Sequence, residues 1–577
     1  MGLSLNTVVI IPKKFTIDCC FIAFICLILF SFQLGNRPFA TPDEGRYVEI
    51  PREMVATGDW VTPRLNGVKY FEKPPFLYWL QACSFKIFGL NELGMRLWIV
   101  IFATLGCVAT YAFGQSIFDR VTGLIAAGVL ATTALYFSLA RLIILDMVVS
   151  TWVTLALFCF YQALYKPPSQ ARRLWFYGFS AACAFGVLTK GIMALAVPGP
   201  FIVLWLSYTR QWRLLMPTYL IGCCAVFLAI TAPWHILVSL KNPEFLYKYF
   251  IVEHFLRYTT TIHARYKPVW FFFPITLVGL LPWTTFLYGA SSSSRGAAGD
   301  VVIQEKTWMG RLTSFVRHDE GRHSFLWIWT AWVLLFFSVS NSKLIPYILP
   351  IFPPLALLIG NSLRQAYLSS SRTIFYQHSF VMITLGTVGL ILPAAIPDVL
   401  DGKVALLPFI YALSGLFVAH GLLVILCLKR QAIKIAIASI GVTAVIMTII
   451  LGAAAPHVQR PSLKGLVSII LDQQKVGEPV ASFLTYYQDL PLYSQQRVMV
   501  VGAKGELDFG TTVEDTTEWM MNEDAFLQQW QKAQQVGYKI WAIGRLHDLE
   551  VFKQKRPDFH YKVVSVDHPN VLFIPLK

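Results

Sequence analysis

Paired acids and bases follow the first apolar stretch of the chain, in a segment that reads TPDEGRY. Asp43 and Glu44 are adjacent, and Arg46 lies two residues further along. Two carboxylates beside an apolar stretch are costly unless a cation neutralises them or a reaction uses them. We therefore interpret Asp43 and Glu44 as candidate catalytic acids, with Arg46 and Tyr47 as candidate ligand-binding neighbours. The alternative is that Asp43 caps the start of a helix.

A second group of this kind lies in YFEKPP, where an acid and a lysine precede two prolines. The candidate residues are Tyr70, Glu72 and Lys73. Lys73 is placed to meet a lipid phosphate at headgroup depth, because a lysine ammonium donates strong hydrogen bonds to phosphate. The alternative for Lys73 is an ordinary side chain that runs along apolar surface to water.

Two apolar segments contain isolated ionisable residues. Asp146 lies in RLIILDMVVSTWV, and a lone carboxylate in such a run is a candidate functional group. We expect Arg141, five residues earlier, to be its partner, and a purely structural ion pair is the alternative. Lys343 and Tyr347 follow another apolar run and could line the same lipid-binding groove.

The segment EHFLRY brings an acid, a histidine and an arginine together. Its candidate phosphate-binding residues are Arg257 and Tyr258, and His254 is a candidate metal ligand. The metal-binding spacing HExxH is absent from the sequence, so a bound cation would take ligands from separate loops. Glu72 and His254 are the candidate pair, and a hydrogen-bonding role for His254 is the alternative.

Composition identifies the framework as a polytopic membrane protein. Of 577 residues, 56% are hydrophobic and 14% are charged, against about 25% charged in soluble domains. This balance excludes both a row of soluble domains and a disordered chain. Residues 457–577 carry 13 Lys and Arg against 14 Asp and Glu, so the net charge of +16 arises in residues 1–456. Anionic lipids and phosphate groups are the expected partners there, and nucleic acid is not.

Apolar runs of about 20 residues predict 13 membrane helices. The distribution of Lys and Arg places the N-terminus in the cytoplasm, and an odd number of spans then places the C-terminal part outside. The predicted spans cover approximately 15–36, 93–116, 121–138, 141–163, 173–189, 192–209, 213–239, 268–289, 323–339, 344–361, 378–397, 404–427 and 432–455.

The candidate residues fall mainly in two outer loops, 37–92 and 240–267, which are themselves basic. We predict a short helix over 42–57 and an interfacial helix over 74–88, because the latter segment is apolar but too short to span. Strand-like and helix-like runs then predict a small soluble α/β domain over 457–577. The ten cysteines all lie before this domain and form no CxxC pair, so zinc and dithiol spacings are absent from the sequence.

Together, TPDEGRY, YFEKPPFLYWLQA, RLIILDM and EHFLRY resemble the motifs of membrane-embedded glycosyltransferases of the GT-C fold. The resemblance is to the protein O-mannosyltransferase-like group, and within it to the bacterial aminoarabinose transferases, and it covers the whole chain. It implies a mainly α-helical transmembrane domain over 1–456 and a periplasmic α/β domain over 457–577. It also implies transfer of 4-amino-4-deoxy-L-arabinose from undecaprenyl phosphate to a lipid A phosphate, in the bacterial inner membrane.

The same resemblance implies individual roles. Asp43 matches the catalytic aspartate, Glu72 and Lys73 match an acid–lysine pair whose lysine holds the carrier phosphate, and Asp146 matches a second acid. No cofactor is required, and a divalent cation such as zinc stays open. We expect a monomer, because one chain contains the whole candidate site.

Two alternatives to this function stay open at the level of sequence. One is a transferase of the same fold with another polyprenyl phosphate sugar, or with a protein or glycan acceptor. The other is a lipid transporter, which would place its ionisable residues in broken helices near the middle of the membrane.

Overall fold

The structure is a computed structural model that describes residues 13–212, 217–259, 267–287, 319–395, 404–458 and 461–576. Parts of the predicted spans and of the second outer loop lie outside the described residues, namely 213–216, 260–266, 288–289 and 396–397. The helices of the first half are α1 Lys13–Ser31, α2 Asp43–Thr57, α3 Phe76–Phe88, α4 Glu92–Ile117, α5 Arg120–Thr132, α6 Ala134–Leu139, α7 Leu145–Tyr165, α8 Gln170–Lys190, α9 Met193–Ala196, α10 Pro198–Thr209, α11 Pro217–Lys241, α12 Arg257–Thr259 and α13 Phe272–Gly279.

The helices of the second half continue from the membrane part into the C-terminal part. They are α14 Asp319–Val339, α15 Phe352–Leu368, α16 Thr373–Ala395, α17 Leu407–Lys429, α18 Ile433–Val458, α19 Lys464–Gln473, α20 Asp489–Ser494, α21 Asp508–Val513, α22 Glu523–Val536 and α23 Leu546–Lys555. A π-helix covers Tyr247–Leu256, and short 3-10 helices cover Leu34–Asn36, Val269–Phe271, Ile345–Ile351, Val404–Leu406 and Gly505–Leu507.

Within the described residues, nine helices are long and apolar enough to cross a membrane. They are Lys13–Asn36, Glu92–Ile117, Leu145–Tyr165, Tyr219–Lys241, Gly321–Val339, Ile345–Leu368, Thr373–Ala395, Val404–Lys429 and Ile433–Val458. The chain is therefore a multi-pass membrane protein with a mainly helical fold, as predicted. The count of 13 spans stays a prediction, because several of the predicted spans correspond to shorter or less apolar helices.

Two of the predicted spans are interrupted. The run 121–138 divides into α5 and α6 at Thr133, and the run 192–209 divides into α9 and α10 at Val197. In the second case Pro198 begins α10, which is a favoured place for proline because the first turn of a helix needs no backbone donor there. Hydropathy registers only the continuous apolar run and not these breaks.

The first outer loop is folded, and its two predicted helices are present as α2 and α3. Between them lies the hairpin of β1 Arg64–Leu65 and β2 Val68–Lys69. Asn66 and Gly67 connect the strands with φ values of 52° and 83°, which is the backbone geometry that favours Asn-Gly in tight hairpins.

The C-terminal part contains six further strands, β3 Val480–Phe483, β4 Met499–Val501, β5 Met520–Met521, β6 Trp541–Arg545, β7 Tyr561–Asp567 and β8 Asn570–Pro575. They form one sheet in the order β5-β4-β3-β6-β8-β7. Strands β5, β4, β3 and β6 are parallel, and β8 and β7 complete the sheet in antiparallel orientation. This confirms the predicted α/β character of the tail.

The sheet domain packs directly on the first outer loop. Asn66 donates to the Val498 carbonyl at 3.0 Å and accepts from the Val498 N–H at 2.9 Å. Gly45 in α2 lies against α20, where a Cβ would come within 3.1 Å of the Asp489 backbone nitrogen. The loop that carries the candidate acids is therefore held between the membrane helices and the C-terminal domain.

Candidate active site

Asp43 and Glu44 occupy the first turn of α2 and point in different directions. Successive helical residues are separated by about 100° around the axis, so two adjacent side chains cannot face the same surface. The side chain of Asp43 is 54% exposed, whereas that of Glu44 is 1% exposed. The N-cap residue of α2 is Pro42, and no side chain caps the helix, so the capping alternative for Asp43 is wrong.

Glu44 is the centre of a buried ion-pair cluster. Its carboxylate accepts from Arg37 at 2.9 Å and from Arg96 at 2.9 and 2.8 Å. The backbone N–H groups of Ala40 and Ile143 also donate to it, at 2.7 and 3.0 Å. Although burial opposes it, the two guanidinium groups lower the pKa of Glu44 to about 2. We therefore correct the predicted catalytic role: Glu44 ties the start of α2 to the membrane helices.

Arg46 lies between two carboxylates. One of its guanidinium nitrogens donates to Asp43, another donates to Glu506 of the C-terminal domain, and its guanidinium lies 4.9 Å from the centre of the Tyr47 ring. Arg46 is therefore already paired with two carboxylates, and its expected role in holding a phosphate stays a prediction. Burial raises the pKa of the Tyr47 hydroxyl, and the negative charges of Asp43, Glu72 and Asp146 raise it further. The three carboxylates therefore all lie near the Tyr47 hydroxyl.

Glu72 and Lys73 approach the second outer loop. Arg257 lies 3.7 Å from the Glu72 carboxylate and 3.0 Å from that of Glu253. Lys73, Arg46 and Arg257 hold the pKa of Glu72 well below its usual range, against the effect of burial. Burial, together with the nearby charge of Arg257, lowers the pKa of Lys73 to about 7. An anion that binds here would restore the full charge of Lys73.

The other two residues of these motifs have different surroundings. Tyr70 is buried, and its hydroxyl helps to keep the pKa of Glu72 low. Tyr258 belongs to α12, and its side chain lies outside the described part of the chain.

The π-helix Tyr247–Leu256 presents Glu253 and His254 to the site, and Arg257 follows it as the first residue of α12. Widened turns of this kind are frequent at functional sites. The His254 Nδ1 atom lies 2.6 Å from the Tyr249 carbonyl oxygen. On its other side the ring touches Gly191, where an added Cβ would come within 2.1 Å of Nε2. Gly191 also has a φ of 79°, a backbone conformation that favours glycine. Both the missing Cβ and the positive φ therefore require glycine at this position. His254 thus packs tightly on the turn after α8.

The structure brings no metal cluster to these residues. In the ranges that it describes, no group of three or more His, Cys, Asp and Glu side chains could hold one ion. A cation at Glu72 and His254 would have to take its remaining ligands from substrate or water, and it stays a prediction.

Asp146 in the first turn of α7 pairs with Lys190 at the end of α8. This corrects the expected partner, since Arg141 instead donates to the Phe30 carbonyl at 3.0 Å. Lys190 also lies 4.5 Å from the centre of the Tyr347 ring. Lys190 was not identified as a site residue from the sequence, although a lysine at the end of an apolar helix could have indicated it.

Lys343 is buried beside Ser340 and Ser342, which line the cleft. It donates to the Lys267 carbonyl at 2.9 Å and to the Ser340 carbonyl at 2.5 Å. These bonds hold the loop that follows α14, and the role of Lys343 as a phosphate ligand stays a prediction. Tyr347, by contrast, contacts Arg257 and lines the cleft, as predicted.

The central cleft, as we call it, gathers side chains from the first loop, α7, α8, the π-helix and the segment around the 3-10 helix Ile345–Ile351. Its charged lining residues alternate in sign along the chain, and apolar side chains share the lining. The lining residues are Lys73, Asp146, Val149, Lys190, Met193, Val197, Glu253, His254, Arg257, Phe337, Ser340, Ser342, Tyr347 and Pro350. Such a cleft can bind an anionic headgroup at the end of a lipid.

Apolar helices that carry a cleft of acids and bases at one end define a membrane glycosyltransferase of the GT-C type. Two family models match the chain: "Dolichyl-phosphate-mannose-protein mannosyltransferase" over residues 19–290 and "Aminoarabinose transferase C-terminal domain" over residues 466–572. The chain belongs to the family of undecaprenyl phosphate-aminoarabinose arabinosyl transferases. This confirms the resemblance seen in the motifs.

Individual relatives support this membership. Undecaprenyl phosphate-alpha-4-amino-4-deoxy-L-arabinose arabinosyl transferase 1 of Proteus mirabilis is 31% identical over 398 residues, 67% of this chain and 68% of the relative. The enzyme of that name from Aeromonas salmonicida is 33% identical over 337 residues, and the aligned part spans 58% of each protein. The crystal structure of ArnT from Cupriavidus metallidurans bound to undecaprenyl phosphate has a TM-score of 0.82 at 26% identity. It covers 98% of this chain and 99% of that one.

Proposed function

We propose that the chain transfers 4-amino-4-deoxy-L-arabinose from undecaprenyl phosphate to a phosphate of lipid A. The observation that carries this proposal is the central cleft, in which Lys73, Lys190 and Arg257 lie beside Asp146 at the end of apolar helices. The family membership, and the undecaprenyl phosphate bound to the similar ArnT structure, favour this donor. The alternating charges suit a zwitterionic aminosugar phosphate.

The donor phosphate lies, in this proposal, between Lys73 and Arg257. Both are cations that a phosphate oxygen can reach from the membrane side of the cleft, and Arg257 is already oriented by Glu72 and Glu253. Cations at the leaving group stabilise the charge that develops there as the glycosidic bond breaks. Because the pKa of Lys73 is about 7 in the free protein, donor binding is accompanied by proton uptake at neutral pH.

The polyprenyl chain occupies, in this proposal, an apolar groove near this site. The groove runs between α8, α9 and α11, and it ends at the π-helix. Its lining residues are Val187, Ile192, Leu195, Phe227, Leu228, Thr231, Ala232, His235, Ile236, Ser239, Leu240, Leu246 and Phe250. Ile192 follows Lys190 by two residues, and Phe250 precedes His254 by four, so a lipid in the groove has its headgroup at the cleft.

The transfer itself breaks the bond from the anomeric carbon to the donor phosphate oxygen and forms one to the acceptor phosphate oxygen. Undecaprenyl phosphate leaves with the bonding electron pair. A lipid A phosphate is already ionised, because its second pKa is about 6, and it needs no general base. Asp43 then orients a substrate and stabilises positive charge on the sugar in the transition state. With a hydroxyl acceptor, Asp43 would instead act as the general base.

The proposal includes a cellular arrangement. Residues 1–456 form the catalytic membrane domain in the bacterial inner membrane, with the N-terminus in the cytoplasm. Residues 457–577 form a periplasmic domain, and the cleft opens to the periplasm. A single chain carries every proposed group, so the active unit is a monomer.

A donor panel tests the proposal. Purified protein receives lipid A with undecaprenyl phosphate linked to aminoarabinose, galacturonic acid or mannose, and products are separated by mass spectrometry. We expect transfer from the aminoarabinose donor and at least tenfold less from the others. Preference for another donor would retain the transferase class and contradict the proposed substrate.

A further inference from the structure

One segment of the C-terminal domain, residues 505–514, lies against the first outer loop. The Glu514 carboxylate pairs with Arg64 at 3.0 Å and accepts from the Lys69 N–H at 3.0 Å. The Phe509 ring centre lies 6.1 Å from that of Phe71. These contacts dock the segment beside the hairpin and bring its first turn to the start of α2.

Glu506 in that first turn is fixed on both of its carboxylate oxygens. Oε1 accepts from Gln488 at 2.8 Å, and Oε2 accepts from Arg46. The side chain is 12% exposed. A carboxylate that is mostly shielded from water and bonded on both oxygens holds its partner in one orientation, whereas an exposed ion pair between two flexible side chains contributes little order.

Arg46 connects Glu506 to Asp43 by donating to both carboxylates. The guanidinium that Glu506 holds also donates to the half-exposed Asp43 carboxylate. We propose that Glu506 of the C-terminal domain is a positioning residue that orients Asp43 for transfer through Arg46. The inference rests on the proposed function, and it makes the C-terminal domain part of the active centre.

Loss of the Glu506 charge has a specific consequence. Arg46 then has Asp43 as its remaining carboxylate partner among the contacts described, so it can close over Asp43 and withdraw it from the substrate. A misplacement of about 1 Å at a reacting group can reduce a rate by about a hundredfold. Among the contacts described, neither Lys73 nor Arg257 shares a hydrogen bond with Glu506, Arg46 or Asp43, so donor binding should change little.

The test compares Glu506→Gln with Glu514→Gln in the full-length protein. Glu514→Gln weakens the docking of the same segment without touching Arg46. We expect Glu506→Gln to reduce kcat at least tenfold with the donor KM within twofold of wild type, and Glu514→Gln to leave kcat within twofold. Equal losses in both variants would mean that docking alone matters, and they would overturn the inference. An unchanged kcat in Glu506→Gln would overturn it as well.

A coupled pair of variants separates positioning from general instability. If Glu506 acts through Arg46, Arg46→Met and the double variant Arg46→Met/Glu506→Gln have the same kcat, because the second change has nothing left to act on. Losses that multiply in the double variant would overturn the inference.

Gln488→Ala provides a second variant in case Glu506→Gln lowers the melting temperature. It removes one of the two hydrogen bonds that fix Glu506 and should reduce kcat with KM unchanged. A wild-type kcat would overturn the inference. No transfer by the wild type would instead overturn the proposed function, and the inference with it.

Discussion

Replacing Glu44 by glutamine removes the negative charge that Arg37 and Arg96 share in the buried cluster. Two guanidinium groups and two backbone N–H groups donate hydrogen bonds to this carboxylate. An amide cannot accept on both sides, so the variant buries positive charge without its counter-charge. Breaking a buried pair in this way costs about 3–5 kcal/mol.

The expected result is a large loss of stability. For a cooperative unit of 150–250 residues, 1 kcal/mol corresponds to about 2–4 °C in melting temperature, so Glu44→Gln should melt about 10 °C below the wild type. Tryptophan fluorescence in detergent measures this, and Asp43→Asn is the matched control, because the half-exposed Asp43 side chain predicts an unchanged melting temperature. A Glu44→Gln protein that melts like the wild type but transfers no sugar would refute our assignment and restore Glu44 to catalysis.

Three further changes have distinct expected outcomes. Lys73→Ala should raise the donor KM about 10- to 100-fold, the range for a lost hydrogen bond to a charged group, and an unchanged donor affinity would count against phosphate binding there. Asp146→Asn should reduce kcat or donor affinity in the donor assay, because it frees Lys190; full activity would mean that the Asp146–Lys190 pair is structural. Burial and nearby Glu49 raise the pKa of Glu53 to about 8. The folded protein therefore retains a proton that the unfolded chain releases near pH 4.5, so stability falls between about pH 5 and 8. Glu53→Gln should flatten that slope in melting curves, and an equally steep slope would exclude Glu53 as its source.

The fold and the loop that carries the site could be predicted from the sequence. Long apolar runs can satisfy their backbone only as helices in a membrane, and α2 and α3 followed from short segments with charged or aromatic character. The sequence placed Glu72, Lys73 and Arg257 in two basic outer loops, and the structure brings these loops together. The phosphate-binding roles of these residues stay predictions.

What the sequence could not reveal depends on tertiary contacts. Asp43 and Glu44 are adjacent and chemically alike, and only the packing of α2 decides which of them is buried and which stays exposed. The position of Lys190 depends on the turn at Gly191. His254, from a loop distant in sequence, packs against this turn. Glu506 lies in a soluble domain some 460 residues after Arg46, and no local pattern links the two.

The most direct test of the central claim is mass spectrometry of lipid A. Cells that make the lipid-linked aminoarabinose but lack their own transferase would express either the wild type or Asp43→Asn, with expression of both verified. We predict a mass gain of one aminoarabinose with the wild type and none with Asp43→Asn. No gain with the wild type would contradict the proposed donor or acceptor, and a gain with both proteins would contradict the essential role of Asp43.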